Sequence, residues 1–428
     1  MLLGCIADDF TGATDLANSL TRQGMPCIQY NGLPEEETPA GASSGDESAA
    51  AVIALKSRSI PAAEAVAQSL DALAWLRARD CEKIFFKYCS TFDSTDEGNI
   101  GPVAEALLQA LDSDFTIACP AAPENRRTVY QGHLFVGAQP LAESGMRNHP
   151  LNPMTDSNLV RVLGRQSRGQ VGLIPFETVA QGAEAVAERV ADLRGEDCRL
   201  AIADAVSEAD LCVLAEGTAG LPLITGGSGL ALGLPPLFRA QGRLAVAERA
   251  ALPDLAPVSA VLAGSCSEAT NLQVERMRAT CPSRRIDPAK LAQGDAAIEE
   301  TLDWAQGALG KLGNGGPILI YSTAAPGELA AVQASLGQER ASALLERAMG
   351  RVAEGLVRQG VRRLVVAGGE TSAAVVTALR IKRLAIGPEI DPGVPWTVSL
   401  DEPRIALSLK SGNFGGPDFF AKAFDVLP

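Results

Sequence analysis

MLLGCIADDFTGATDLANSLTRQG, residues 1–24, is the stretch whose reading decides the fold. Leu2 to Ala7 is a short apolar run of the length of a buried strand. It stops at Asp8-Asp9. Thr11 then stands where a helix N-cap belongs, Ala13 to Arg22 has helical spacing, and Gly24 closes the helix. The order is strand, polar turn, helix. A leading strand of this kind also lacks the basic region and long apolar run of a signal peptide.

The same order recurs down the chain. Further strands are expected at Ala51-Leu55, Lys83-Lys87, Phe115-Cys119, Val171-Pro175, Leu200-Ala203 and Pro222-Thr225. Helical patterns such as Ala62-Arg79 and Thr178-Leu193 lie between many of them. A second series comes at Ser259-Ala263, Pro317-Tyr321, Arg363-Ala367, Leu384-Ile386 and Ile405-Leu409. Alternation of this kind predicts an α/β fold with largely parallel sheets. A chain of 428 residues exceeds the size at which single cores stop growing, so two domains are expected. Leu234 to Pro257, with prolines at 235, 236, 253 and 257, reads as their connection, with room for a helix. The expected division is residues 1–233, a linker over 234–257, and residues 258–428. Residues 33–50 are polar and read as an exposed loop.

Composition narrows the function. The formal net charge of −14, with no run of Lys and Arg, argues against nucleic acid as partner. No stretch of about 18 apolar residues is present, so no membrane span is expected. Nine cysteines without a CxxC pair, beside only two histidines, suggest reduced thiols in a cytoplasmic protein, with no zinc site and no disulfide framework. Neither His133 nor His149 has a metal partner at ligand spacing; each reads as structural. GxxxxGK[ST], the protein-kinase motif set, GxSxG and HExxH are all absent, and Thr225-Gly226-Gly227-Ser228-Gly229 does not have dinucleotide-binding spacing.

In open α/β sheets ligands bind outside the carboxyl ends of the strands. The segments at those ends are chemically rich here. The first strand leads to Asp8-Asp9, able to bind hydroxyls, accept a proton, hold Mg²⁺ or cap the next helix. The second leads to Arg58, able to grip a carboxylate. The third leads to Lys87-Tyr88-Cys89-Ser90-Thr91-Phe92-Asp93-Ser94, then Gly98-Asn99-Ile100-Gly101, a polar cluster suited to a polyol. The fourth leads into Pro120 to Thr128 and then a long irregular stretch, Gly132 to Asp156. In the second half glycine replaces charge. Gly264-Ser265-Cys266-Ser267, Gly368-Gly369-Glu370-Thr371-Ser372 and Gly412-Asn413-Phe414-Gly415-Gly416 each come after a strand, and together they read as a phosphate cradle.

On these motifs the sequence resembles the four-carbon acid sugar kinases, and within them the 3-oxo-tetronate kinase branch. The resemblance runs nearly end to end. Its most specific part is Lys87 to Ser94 with Gly98-Asn99-Ile100-Gly101 after it; threonate and erythronate kinases usually carry a shorter Lys-x-Asp-Ser-Thr form. It implies an acid-sugar-binding N-terminal domain, an ATP-binding C-terminal domain, and an active site in the cleft between them. It implies transfer of the ATP γ-phosphate, with Mg²⁺, to the 4-hydroxyl of a 3-oxo-tetronate. Asp9, Arg58, Lys87, Tyr88, Cys89 and Ser90 would contact the acid sugar, and one of Asp8 and Asp9 would accept the hydroxyl proton. Ser265, Gly368, Gly369, Glu370, Thr371 and Gly412 would contact ATP. No metal ligand can be named. A D-threonate or D-erythronate kinase and a non-catalytic acid-sugar and nucleotide sensor are the competing readings. The oligomeric state is not fixed by the sequence, and a homodimer is compatible with it.

Overall fold

The structure is a computed structural model, and it describes residues 1–35, 48–149, 151–245, 253, 255–313, 316–323 and 337–427. The chain divides into two compact units, Met1–Arg249 and Ala250–Pro428. Most of the loop expected over 33–50 lies outside the described residues, as does part of the expected connection. Leu234–Ala240 within that connection is a helix, with Pro at its start, and it belongs to the first unit.

The first unit is built on β1 (Leu3–Ala7), β2 (Cys27–Asn31), β3 (Ala50–Ala54), β4 (Lys83–Lys87), β5 (Thr116–Cys119), and then a small hairpin of β6 (Arg127–Tyr130), β7 (His133–Val136) and β8 (Gln139–Pro140). It continues with β9 (Gln170–Ile174), β10 (Cys198–Ala203) and β11 (Leu223–Gly226). The main sheet runs β2-β3-β1-β4-β11-β5-β10-β9, and its paired strands are parallel. β1, β3 and β4 are buried along their whole length. This is why they read as continuous apolar runs and not as alternating ones: helices cover both faces of a parallel sheet.

Two sequence expectations shift. The N-cap of α1 (Phe10–Arg22) is Asp9, not Thr11. Asp9 has the extended φ of −150° and accepts from the Gly12 N–H, which leaves Thr11 free to donate its hydroxyl back to Asp9. The helix expected over Thr178-Leu193 is two helices, Phe176–Val179 and Ala183–Gly195, parted at Gly182, whose φ of 106° no β-carbon tolerates well. The stretch Gly132 to Asp156 is not wholly irregular either, since it holds β7, β8 and two short 3₁₀ turns.

The second unit comprises β12 (Ser259–Ala263), β13 (Ser283–Arg285), β14 (Pro317–Tyr321), β15 (Arg363–Ala367), β16 (Arg383–Asp391), β17 (Val394–Ser399) and β18 (Ala406–Lys410). Its order is β13-β14-β12-β15-β18-β17-β16, parallel except that β17 runs against both of its neighbours. Its core gathers Leu319, Val365, Trp396, Phe419 and Phe420, and the Trp396 indole donates to Ala423 O at 2.7 Å. A buried indole N–H needs such a partner.

The two units begin alike. β1 connects to β2 and β3 on one side and the chain then crosses to β4 on the other; β12 connects to β13 and β14 on one side and then crosses to β15. Each reversal opens a crevice at the carboxyl ends of the strands that flank it, which is where open α/β sheets bind ligands. The polar turns of the first half and the glycine turns of the second lie at those strand ends.

Candidate functional site

In the first unit the main chain of Asp8 ties three strand ends together. Its N–H donates to Lys87 O at 3.1 Å, and its carbonyl accepts from Ser57 N at 3.0 Å and Arg58 N at 3.2 Å. Arg58 is then gripped from above. Its Nε donates to Asp8 Oδ2 at 2.8 Å and its Nη2 to Asp8 Oδ1 at 2.7 Å, a bidentate pair. Nη2 also reaches Asp9 Oδ1 at 2.6 Å, and Nη1 faces Asp93 Oδ2 at 3.8 Å. Asp9 is further held by the Thr11 hydroxyl at 2.8 Å and the Gly12 N–H at 3.1 Å.

Burial and charge push this adjacent pair apart. Burial drives the Asp8 carboxyl above the ordinary range, outweighing Arg58. At Asp9 burial is opposed by Arg58, Lys87, Thr11 and Gly12, and the carboxyl is held below it. The two neighbouring carboxyls are thus shifted in opposite directions.

Lys87 is almost fully buried beside α1. A β-carbon on Gly12 would lie 2.4 Å from its Nζ and 2.2 Å from Asp9 Oδ1, so the close approach needs glycine. Its charge also acts on Asp15, one turn further along α1 and buried, which takes a 2.5 Å hydrogen bond from the Ser228 hydroxyl. After β4 the chain turns through Phe92 (φ 66°) and Asp93 (φ 45°), consecutive left-handed residues that are not glycine. Such residues persist where the surroundings dictate them, commonly in sites. The Thr91 hydroxyl donates to Asp93 Oδ1 at 2.8 Å.

The structure thus brings Asp8, Asp9, Arg58 and Asp93 into one cluster, with Lys87 beside it. Ser90 and Cys89 are half-buried on the next turn, and the Cys89 sulfur lies 3.0 Å from the Thr91 hydroxyl, its thiol pushed up to about 11 by burial. Tyr88 differs from the others expected at the site. Its side chain is fully buried between Phe86 and Phe92 and its hydroxyl pairs with Thr225, so only its main chain could meet a ligand.

Asn99, inside the Gly98-Asn99-Ile100-Gly101 motif, supports the cluster. Its Nδ2 donates to Ser57 O (2.7 Å), Ile60 O (2.9 Å) and Arg58 O (3.2 Å), fixing the turn that carries Arg58. Gln166 does the same for the next turn, donating to Ser94 Oγ and Thr95 O and accepting from Gly101 N. Gln166 gives no local sequence signal, because its partners lie tens of residues away, whereas Asn99 belongs to a motif that the sequence shows.

In the second unit three glycine turns meet at the ends of β12, β15 and β18. Gly264 N and Ser265 N both donate to Ala367 O. A β-carbon on Gly264 would fall 2.1 Å from Thr371 Oγ1, and one on Gly412 would fall 2.3 Å from Ser265 Oγ. Gly368, with φ 125°, starts the helix Gly369–Ala378 and supplies no side-chain cap, while Glu370 sits in its first turn. Uncapped N–H groups at a helix start suit an anion. The structure therefore gathers Ser265, Gly368, Gly369, Glu370, Thr371 and Gly412 in one place. Among the described residues no group of three His, Cys, Asp or Glu side chains is arranged to hold a metal ion.

Residues 3–234 match the family of sugar-binding N-terminal domains, and residues 260–420 match the family of nucleotide-binding C-terminal domains. The chain belongs to the four-carbon acid sugar kinase family. It is 60% identical over 428 residues to the 3-oxo-tetronate kinase of Cupriavidus necator, covering 100% of this chain and 97% of that protein. It is 59% identical over 427 residues to the 3-oxo-tetronate kinase of Pseudomonas fluorescens, again covering 100% and 97%. The crystal structure of a protein from Salmonella typhimurium LT2 superposes with a TM-score of 0.86 at 44% identity, covering 98% of each chain. That of a Haemophilus influenzae protein gives 0.77 at 42% identity, covering 99% of this chain and 100% of that one. Both family matches fall on the two units as the structure divides them: the charged cluster lies in the sugar-binding part and the glycine turns in the nucleotide-binding part. None of the nine cysteines, all among the described residues, is joined in a disulfide. Among the described residues no helix is long and apolar enough to cross a membrane.

Proposed function

We propose that this chain is an ATP-dependent kinase that phosphorylates the 4-hydroxyl of a 3-oxo-tetronate. The observation that carries the proposal is the charged cluster around Arg58 within a chain so similar, over its whole length, to proteins named 3-oxo-tetronate kinase. In this reading ATP binds the glycine turns through Ser265, Gly368, Gly369, Glu370, Thr371 and Gly412. The acid sugar binds at Asp9, Arg58, Lys87, Cys89 and Ser90, with Tyr88 contributing main chain only.

Phosphoryl transfer asks for positioning and charge neutralisation more than for a strong base. The oxygen–hydrogen bond of the acceptor hydroxyl breaks as its oxygen bonds to the γ-phosphorus, and ADP leaves with the electron pair. Asp9, the more exposed of the two carboxylates, is suited to orient the hydroxyl and take its proton; its side chain is 21% exposed against 8% for Asp8. Asp8 holds Arg58 in place. The Nη1 edge of Arg58, which among the described residues makes only the long approach to Asp93, and the Ser90 hydroxyl are suited to the substrate carboxylate.

ATP-dependent transfer implies Mg²⁺. The described residues offer it no protein cage, so the ion would ride on the phosphate oxygens of the nucleotide with few protein ligands.

An ADP-release assay with Mg-ATP tests the proposal, offering 3-oxo-tetronates beside D-threonate and D-erythronate. Turnover with the oxo acids alone is expected. Turnover with the reduced acids would move the substrate to a different member of the family. ATP binding without turnover of any acid would point to a sensor.

A further inference from the structure

The last residue of β18, Lys410, is fully buried, and its amine has an unusual set of partners. Nζ lies 2.9 Å from Ser411 O, 3.0 Å from Gly412 O, 3.0 Å from Phe414 O and 3.1 Å from Thr270 Oγ1. Thr270 spends its own proton on Gly412 O at 2.8 Å, so towards Nζ it accepts. Four acceptors surround an amine that has three protons when charged and two when neutral. The pocket calls for the ammonium. Yet among the described residues no carboxylate pairs with it, and burial alone pulls Lys410 down to about 7. A buried cation held by neutral groups lacks its counter-ion.

The same contacts shape the loop after β18. Ser267 Oγ donates to Gly412 O at 2.6 Å. Gln273 Nε2 donates to Phe414 O, Gly415 O and Gly416 O between 2.9 and 3.1 Å. The carbonyls of residues 411, 412, 414, 415 and 416 are therefore all drawn to inward donors. The N–H groups of Gly412 and Asn413 have no partner among the described residues. Turned carbonyls on one side and unpaired N–H groups within one tight turn make an anion-binding concavity.

We infer that Lys410 is the positioning residue of the nucleotide's phosphate cradle: it draws the loop carbonyls inward and sets an uncompensated positive charge behind the Gly412 and Asn413 N–H groups. The phosphates supply the missing counter-ion. This rests on the kinase reading of the glycine turns and deepens it, adding a residue that lies one position past the expected strand Ile405-Leu409.

Calorimetric titration of the full chain with inorganic tripolyphosphate, with ATP and with adenosine tests the inference. Lys410→Met keeps the length of the side chain and removes its donors. It is expected to weaken tripolyphosphate and ATP about 10- to 100-fold, the range for hydrogen bonds to charged groups, and to leave adenosine within about twofold. Equal affinity of the variant and the parent for tripolyphosphate overturns the inference, as does an equal loss for adenosine. If Lys410→Met does not fold, Thr270→Val serves. It keeps the lysine, removes one of its partners and one donor to Gly412 O, and is expected to weaken tripolyphosphate about threefold or more; unchanged affinity overturns the inference. A parent protein that binds neither polyphosphate would instead remove the nucleotide reading itself.

Discussion

Replacing Gly12 by alanine separates the site from the fold. The added β-carbon would meet Asp9 Oδ1 at 2.2 Å and Lys87 Nζ at 2.4 Å, where ordinary contact begins at 3.4 Å. The shortfalls are 1.2 and 1.0 Å, so both charged groups must retreat by roughly 1 Å from where they now stand. Neither intruding atom is backbone. The fold then puts at risk both hydrogen bonds that Asp9 Oδ1 accepts, ~1 kcal/mol from Gly12 N and ~2 kcal/mol from Arg58 Nη2, and gains ~1 kcal/mol from alanine over glycine in a helix. The net loss is at most ~2 kcal/mol, so Tm is expected to fall by no more than about 8 °C and the chain to stay folded. Catalysis has no such compensation. A misplacement of ~1 Å costs on the order of 100-fold, and kcat/KM for the acid sugar is expected to fall by about that factor. Thermal unfolding and the ADP-release assay on the same sample read both quantities. Wild-type kcat/KM within about threefold, with the variant folded, would refute the placement of Lys87 and Asp9 in the working site.

Other outcomes hang on single contacts. Asn99→Leu removes the amide that holds three carbonyls of the Arg58 turn; KM for the acid sugar is expected to rise about tenfold, with KM for ATP unchanged, in steady-state kinetics. Arg161 holds the Asp156 carboxyl at about 2 against an ordinary 3.8. A depressed folded value means stability that is present above pH 4 or so and lost as pH falls towards 2, so Asp156→Asn should flatten the acid limb of a stability–pH curve over that window, lowering stability at pH 7 and leaving it unchanged near pH 2. Cys212 is exposed while Cys5, Cys27, Cys119 and Cys198 are buried; a thiol reagent on the native protein, followed by peptide mapping, should label Cys212 first and those four only after unfolding.

The strands at Lys83–Lys87, Ser259–Ala263, Pro317–Tyr321 and Arg363–Ala367 are as the sequence predicts, residue for residue. Each is an apolar run ended by a polar or glycine turn, and burial on both faces leaves no alternation to misread. β2 is illegible because Gln29 stands in its middle. That amide is fully buried and bonded to Thr14 and Asn31, partners that no local pattern announces. β17 hides for another reason: it is antiparallel within a parallel sheet and opens with Val394-Pro395, a poor strand signal. At the site, groups that sit directly at strand ends are legible: Asp8, Asp9, Arg58, Lys87 and the glycine turns. Asn99 is legible as a member of its motif, but its grip on the Arg58 turn is not; Asp15, Gln166 and Lys410 do not read as site residues, since each meets a partner that only folding brings near.

Asp9 starts α1 and also stands in the charged cluster, and that double employment bears on how any scan of this protein is interpreted. Alanine at position 9 would strip a helix of its cap, at about 1 kcal/mol, while removing a carboxylate from Arg58 and Lys87. Lost turnover would then mix an unravelled first turn with missing chemistry. Asparagine caps as well as aspartate and carries no charge. Asp9→Asn is thus the substitution that keeps the scaffold while silencing the carboxylate, and the gap between the asparagine and alanine variants measures how much of the carboxylate's apparent importance belongs to the helix.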